Sequence, residues 1–143
     1  MTTQEQLNQV FCDNFVTYYR SHTAHVNLVG RNFRSDHKLL QGVYERRQAE
    51  IDVLAELLRT LSAFMPVSIT EVLACSEISD SDIEGDADEL LEAVRDDLEQ
   101  LKGCYEELMA VADSEGHAEI SNYAQDQILD LAKSIWMLNS TLD

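Results

Sequence analysis

The sequence predicts an all-α fold, a four-helix bundle in which a long connection joins the second helix to the third. Apolar residues recur at spacings of three and four along four long segments, the pattern of amphipathic helices. The chain has a single proline, and no stretch alternates polar and apolar residues as strands do. With 143 residues, 45% of them hydrophobic, residues 1–143 are expected to form one domain with a substantial core.

The first segment begins at Thr2 and Glu5, whose spacing is that of a capping box. Apolar side chains then recur on one helical face as far as Val29, and Gly30 ends the segment. This pattern predicts a helix from Thr2 to about Gly30. We expect its core-facing residues to include most of the aromatic side chains, which are Phe11, Phe15, Tyr18 and Tyr19.

The second segment is expected to start near Ser35 or Asp36, because either residue is a good N-cap. Its apolar residues recur at helical spacing as far as Leu61, and Met65-Pro66 closes the region. The spacing therefore predicts a second long helix that follows the first after a short link.

The connection between the second and third segments contains a helix of its own. Ser68 and Glu71 form another capping-box pattern, which predicts a short helix through about Ser76. An acidic stretch follows, and Asp86 with Glu89 can cap the third long helix. A simple up-and-down bundle would not need so long a connection between its middle helices.

The third and fourth segments are separated by Asp113–Gly116, whose composition predicts a turn. The fourth segment carries helical periodicity from Ile120 to Leu142. Two pairs of closely connected helices, joined by one long crossover, have the ferritin-like topology. The predicted fold is therefore a ferritin-like four-helix bundle with a short extra helix in its long connection.

The net charge of the chain argues against several kinds of partner. Acidic residues number 27 against 10 basic ones, giving a formal net charge of −17. Nucleic acids and anionic membranes repel such a surface, and the first thirty residues offer only Arg20 as a basic residue. No apolar run approaches the length of a membrane span, and no signal-peptide pattern is visible. We expect a cytoplasmic protein that binds neither nucleic acid nor membrane.

The three cysteines also favour a cytoplasmic location. Cys12, Cys75 and Cys104 are odd in number, widely spaced and without a CxxC motif. A disulfide framework would need a different pattern, so we expect reduced thiols that behave as small hydrophobic residues.

Five side chains in the first two helical segments are candidates for a metal site: His25, His37, Gln41, Asp52 and Glu56. His37 and Gln41 are four residues apart, as are Asp52 and Glu56, so each pair projects from one helical face. Imidazole and carboxylate ligands together suit ferrous iron.

The distance between the two pairs requires a second copy of the chain. Asp52 lies eleven residues beyond Gln41, which is roughly 16 Å along a straight helix. A metal–ligand bond is only about 2 Å long, so the two pairs cannot hold one ion within a single chain. An antiparallel, two-fold-related copy of the same helix would bring Asp52 and Glu56 of one chain opposite His37 of the other.

Several sequence runs also carry a family resemblance. In chain order they are His25–Phe33, His37, Tyr44, Asp52, Ala55-Glu56, Pro66, Asp113–Gly116 and Ile135–Leu138. Together they resemble the Dps mini-ferritins over nearly the whole chain.

This resemblance implies a hollow dodecamer that binds Fe(II), oxidises it with hydrogen peroxide or oxygen, and stores a ferric core. It places the ferroxidase site at the two-fold dimer interface. His25 and His37 would come from one subunit, and Asp52 and Glu56 from its neighbour, as metal ligands and catalytic residues. Gln41 would be a further metal ligand, and zinc is a competing ion for the same site.

The sequence departs from the family pattern in three places. Gln41 stands where the family usually has an aspartate ligand, so the site lacks one negative charge. Val26 replaces the tryptophan that usually follows the first histidine. The family often lines its three-fold pore with acidic residues. Asp113 matches one of these acids, but the other acidic positions of the pore fall at Ala118 and Asn122.

Other interpretations of these residues stay open. His25 and His37 alone are compatible with ordinary polar positions at a helix interface, and His22 is expected to pack or hydrogen-bond. Gln41 and the altered pore favour, as the main alternative, a cage with weak or lost ferroxidase activity that serves as a metal buffer or scaffold. Chromosome compaction and a simple four-helix interaction module are further alternatives, and the net charge of −17 opposes the former.

Overall fold

The computed structural model describes residues 1–143 and consists of five α-helices without a strand. It confirms the predicted ferritin-like bundle, including the short extra helix in the long connection. The helices are α1 (Thr3–Asn27), α2 (Phe33–Thr60), α3 (Ile69–Cys75), α4 (Ala87–Glu115) and α5 (Ala118–Leu142).

The four long helices enclose one continuous apolar core. Helix α1 packs against α2 and α4, and α4 packs against α5. Each long helix contributes fully buried leucines to this core, for example Leu7, Leu54, Leu98 and Leu131. Burying one such side chain contributes about 1.5–3 kcal/mol, so the amphipathic faces dominate the stability of the bundle. No helix of the chain has the length and apolar character needed to cross a membrane.

Three of the predicted helix starts are confirmed in atomic detail. Thr2 and Glu5 form a complete capping box at α1, and Asp86 and Glu89 form another at α4. At α3, the Ser68 hydroxyl accepts a hydrogen bond from the backbone N–H three residues later, at 3.1 Å. A cap of this kind stabilises a helix by about 1 kcal/mol.

Helix α2 begins at Phe33, two residues before Ser35, so the N-cap is Asn32 and neither Ser35 nor Asp36 caps the helix. The chain turns at Gly30, whose φ of +136° favours glycine, and the Phe33 N–H already bonds to the Gly30 carbonyl at 3.2 Å. The Ser35 hydroxyl donates back to the Asn32 carbonyl instead of capping the helix. Asp36 lies buried in the first turn, and burial raises the pKa of its carboxyl.

The predicted turn at Asp113–Gly116 is also shorter than expected. Helix α4 continues through Glu115, and only Gly116 leaves the helical conformation, with φ of +81°. The left-handed Gly116 lets the next N–H, that of His117, bond to the Ala112 carbonyl at 2.8 Å. This C-cap brings α5 back antiparallel to α4.

The expectation that the aromatic residues of α1 lie mostly in the core is confirmed for Phe11 but wrong for Tyr19. Phe11 is buried, Phe15 and Tyr18 are half-buried, and Tyr19 is 64% exposed. Tyr18 and Tyr19 are consecutive, so their side chains point about 100° apart around the helix, and only one of them can face the bundle. Trp136 on α5 is likewise 63% exposed within the chain.

All three cysteines are free thiols, as predicted. Cys12 and Cys104 are buried, whereas Cys75 is half-buried. Burial raises the pKa of the Cys12 and Cys104 thiols well above the usual range. The two buried thiols therefore stay protonated at neutral pH.

A buried polar network inside the bundle holds α2 in place. The Arg47 side chain is 1% exposed and donates to the side-chain oxygens of Asn14 at 3.3 Å, Gln127 at 3.2 Å and Asp130 at 3.0 Å. In return, the Asn14 amide donates to the Arg47 carbonyl at 2.9 Å. Because these partners lie on α1 and α5, a single guanidinium fixes α2 relative to both helices.

Removing this guanidinium should destabilise the chain far more than removing a less buried one. We expect Arg47→Ala to cost about 3–5 kcal/mol, because it removes the donor from the buried side-chain oxygens of Asn14 and Gln127 and leaves Asp130 with only Arg46, at 3.4 Å. Arg95→Ala, which breaks the pair between the half-buried Arg95 and the exposed Asp96, should cost less than about 1 kcal/mol. Urea denaturation of both variants measures the difference, and equal losses would contradict the structural role of Arg47.

The start of α1 is tied to the end of α4 by Thr3 and Glu115. The Glu115 carboxylate accepts from the Thr3 hydroxyl at 2.5 Å and from the Thr3 backbone N–H at 2.6 Å. These hydrogen bonds hold the pKa of the Glu115 carboxyl below its ordinary value. The folded chain therefore binds this proton less readily than the unfolded chain does.

The contribution of Glu115 to stability should be present above its unfolded pKa of about 4.3 and disappear as the pH falls through the lower folded value. Glu115→Gln keeps an acceptor for Thr3 but cannot titrate, so its stability should fall less on acidification. Urea midpoints at about pH 7 and about pH 3 measure this, with the exposed Glu99→Gln as a control. If Glu99→Gln reduced the pH dependence of stability as much as Glu115→Gln does, the effect could not be assigned to the contact between Glu115 and Thr3.

Candidate metal centre

The two candidate histidines face each other across the link between α1 and α2. His25 lies near the end of α1 and His37 in the first turns of α2. Their rings stack with centroids 3.7 Å apart and an interplanar angle of 16°. His25 Nδ1 donates to the His37 backbone carbonyl at 2.7 Å, and His37 Nδ1 donates to the His25 carbonyl at 2.7 Å.

These reciprocal hydrogen bonds decide which nitrogen of each ring can bind a metal. A carbonyl oxygen only accepts, so Nδ1 carries the hydrogen in both His25 and His37. In the neutral ring, Nε2 then keeps its lone pair and is the free metal-binding atom. Burial lowers the pKa of His25, which favours its neutral, ligating form.

Aromatic side chains surround the histidine pair. Phe33 stacks on His37 with ring centroids 4.8 Å apart, and Tyr44 lies 4.8 Å from His25. His22 stacks on Tyr44 at 3.9 Å, and its Nδ1 lies 3.0 Å from the Tyr18 hydroxyl. This contact agrees with the packing role expected for His22. The rings restrict the motion of both candidate ligands.

The two candidate carboxylates form a second cluster on α2. Asp52 and Glu56 are both exposed and lie one helical turn apart. A hydrogen bond between the two carboxyls, together with their charge repulsion, raises the pKa of Glu56. A divalent cation between the two carboxylates would relieve this repulsion.

The structure brings the histidines together and the carboxylates together, but it keeps the two clusters apart. Helix α2 runs without a break from Phe33 to Thr60, so His37 and Glu56 are roughly 28 Å apart along it. No group of three or more His, Cys, Asp or Glu side chains within the chain is placed to hold a metal ion. Neither cluster alone therefore offers a complete metal site within one chain.

The spacing of the two clusters is matched. Gln41 is the fourth residue after His37, and Glu56 is the fourth residue after Asp52. One antiparallel register therefore places His37 opposite Glu56 and Gln41 opposite Asp52 at the same time. These four positions lie within about 100° of the helix circumference, on a face that leaves Gln41, Asp52 and Glu56 exposed. Their assignment as metal ligands stays a prediction.

The structure adds one residue that the sequence interpretation missed. The Gln41 side-chain amide donates to Glu45 Oε1 at 2.8 Å. Glu45 lies one turn beyond Gln41, so the same spacing of four that selected the other pairs could have identified it.

Comparison with known proteins defines the class of the chain. The family model described as a ferritin-like domain matches residues 4–143. The chain therefore belongs to the ferritin-like family.

The most similar relatives narrow this class. The antigen TpF1 of Treponema pallidum strain Nichols is 33% identical over 139 residues, 96% of this chain and 78% of the relative. The DNA protection during starvation protein of Helicobacter pylori strain J99 is 29% identical over 143 residues, 99% of either chain. Within the ferritin-like family, the chain is a Dps-type mini-ferritin.

A solved structure supports the same placement. The DPS protein from Vibrio cholerae O1 superposes with a TM-score of 0.93 at 26% identity, covering 99% of this chain and 89% of that one. That protein is described as a member of a broad superfamily of ferritin-like diiron-carboxylate proteins. Carboxylates are also the side chains that cluster at Asp52 and Glu56 on α2 of this chain.

Proposed function

We propose that the chain is an iron-storage mini-ferritin with ferroxidase activity. It binds Fe(II) between two subunits, oxidises it with hydrogen peroxide and stores Fe(III) inside a hollow cage, which protects against oxidative stress. The observation that carries this proposal is the matched spacing of two half-sites on the exposed face of α2. Only a second copy of the chain, in antiparallel register, completes both halves.

The donor atoms suit this substrate. On the hard–soft scale of metal ligands, the free Nε2 atoms of His25 and His37 are borderline, and the carboxylates of Asp52 and Glu56 are hard. This combination binds Fe(II) and then stabilises the higher charge of Fe(III), because the carboxylates are anionic. Zinc accepts the same nitrogen and oxygen donors, so it is expected to compete for the site.

The reaction balances with two iron ions for each peroxide. Each Fe(II) gives up one electron, and hydrogen peroxide takes both electrons and two protons to leave as two water molecules. No single-electron reduction of peroxide is needed, so hydroxyl radical is not released. The chain contributes ligands and the geometry that holds both ions within reach of one oxidant.

The proposal includes a homo-oligomer, a dodecamer whose metal sites lie at two-fold interfaces. A two-fold interface repeats every contact, so each pair of subunits forms two equivalent sites. The net charge of −17 favours cations over phosphates, which supports iron as a partner and opposes nucleic acid. A cytoplasmic location belongs to the same proposal.

Removal of the carboxylate half-site should abolish the fast oxidation of Fe(II). We expect the double variant Asp52→Ala, Glu56→Ala to lose at least about tenfold in oxidation rate. Removing a residue that only hydrogen-bonds to a metal ligand already costs about 10–100-fold, and removing the ligand itself should cost more. Stopped-flow absorbance after mixing Fe(II) with peroxide or oxygen measures the rate. The matched control is Glu92→Ala with Asp96→Ala, an exposed pair of acids at the same spacing on α4.

Retained fast oxidation in the Asp52 and Glu56 variant, with an intact oligomer, would remove these residues from the site. A control that lost the rate equally would attribute the effect to net charge.

A complementation experiment tests whether the site is shared. One variant carries His25→Ala and His37→Ala, and the other carries Asp52→Ala and Glu56→Ala. Neither should oxidise iron alone, whereas a mixed interface combines the intact histidines of one chain with the intact carboxylates of the other. Random co-assembly should restore about one quarter of the wild-type sites, since half of the interfaces are mixed and each holds one intact site of two. No recovery in a verified mixed oligomer would contradict a shared site.

A second candidate function rests on Gln41. A neutral amide in place of a carboxylate weakens the binding of Fe(II), which favours a cage that buffers metal with weak or lost ferroxidase activity. The same stopped-flow measurement separates the two functions. An oxidation rate no higher than that of protein-free solution would support the buffer, and a faster rate would support the ferroxidase.

A further inference from the structure

The Gln41 side chain is hydrogen-bonded to a neighbouring carboxylate, that of Glu45. The Gln41 Nε2 atom lies 2.8 Å from Glu45 Oε1, and both side chains are on the exposed face of α2. Glu45 forms no salt bridge with any Lys or Arg of the chain. Its negative charge is therefore not neutralised by a basic residue of its own subunit.

The hydrogen bond fixes the direction of the Gln41 amide. An ionised carboxylate has only acceptors, so the amide must present its NH₂ group to Glu45. The Gln41 carbonyl oxygen then points away from Glu45, which lies one turn further along the helix. The opposite direction along α2 leads back to His37, four residues before Gln41.

We propose that Glu45 is a positioning residue of the iron site, which orients and polarises Gln41 so that its carbonyl oxygen serves as the ligand on the histidine half-site. The inference rests on the proposed function and names the residue that compensates for the neutral amide. A charged acceptor strengthens the hydrogen bond to roughly twice that of a neutral one and draws electron density towards Gln41 Oε1.

The proposed antiparallel register fits this role. The register that pairs His37 with Glu56 places Glu45 opposite Gln48, not opposite another carboxylate. Glu45 thus adds negative charge without facing a like charge directly.

The test uses Co(II), which has the charge of Fe(II) and does not oxidise under the conditions of binding. We expect Glu45→Gln to weaken Co(II) binding by about 10–100-fold, because an amide acceptor no longer fixes which end of Gln41 faces the metal. Isothermal titration calorimetry gives the affinity, and the visible Co(II) absorption reports the ligand set. Glu92→Gln on α4 is the matched control and should bind as the wild type does.

Repeating the Glu45→Gln substitution in a Gln41→Glu variant separates an effect on the orientation of residue 41 from a general effect of the Glu45 charge. In a Gln41→Glu chain, the ligand carries its own charge and is repelled by Glu45 one turn away. Adding Glu45→Gln there should leave Co(II) affinity unchanged or raise it, reversing the effect seen with Gln41. An equal loss in both backgrounds would overturn the positioning role in favour of a long-range charge effect or direct ligation.

The outcomes also separate this inference from the proposed function. If wild type and Glu92→Gln bind Co(II) tightly and Glu45→Gln binds equally well, the positioning role is wrong while the shared site stands. If the wild-type oligomer binds no Co(II), the proposed function itself fails. Thermal unfolding and light scattering of Glu45→Gln should match the wild type, and a smaller oligomer would overturn the role by assigning Glu45 to assembly.

Discussion

The continuity of α2 is the constraint on which the candidate site depends. A helix of 28 residues, without proline or internal break, keeps its histidine end and its carboxylate end at a fixed separation. Any flexible joint between Gln41 and Asp52 would let one chain fold its own ligands together. Because the helix is continuous, the proposed site requires a second subunit, and metal binding at this site would depend on assembly.

Two sets of polar contacts maintain this geometry. Arg47, buried between α1 and α5, holds the middle of α2 against both neighbours. At the end of the helix, the reciprocal bonds between His25 and His37 tie α2 to α1 and fix the orientation of both rings. Contacts to α2 therefore determine both the packing of the bundle and the orientation of the two candidate histidine ligands.

The sequence predicted the fold well because helical periodicity and caps are local signals. Thr2 and Asp86 cap their helices as predicted, whereas α2 starts earlier than its best capping residues. That start depends on the turn at Gly30, a tertiary feature that no capping pattern encodes. Of the candidate site, the spacing predicted that the histidines and the carboxylates lie apart within one chain. The hydrogen positions on the two histidines and the contact of Gln41 with Glu45 could be found only from side-chain positions.

The buried cysteines have a consequence for a protein proposed to consume peroxide. The thiolate, not the thiol, attacks peroxide, and burial raises the pKa of Cys12 and Cys104. Both sulfurs are therefore poor nucleophiles towards peroxide at neutral pH. Under the proposed function, peroxide would oxidise iron in preference to these two buried thiols.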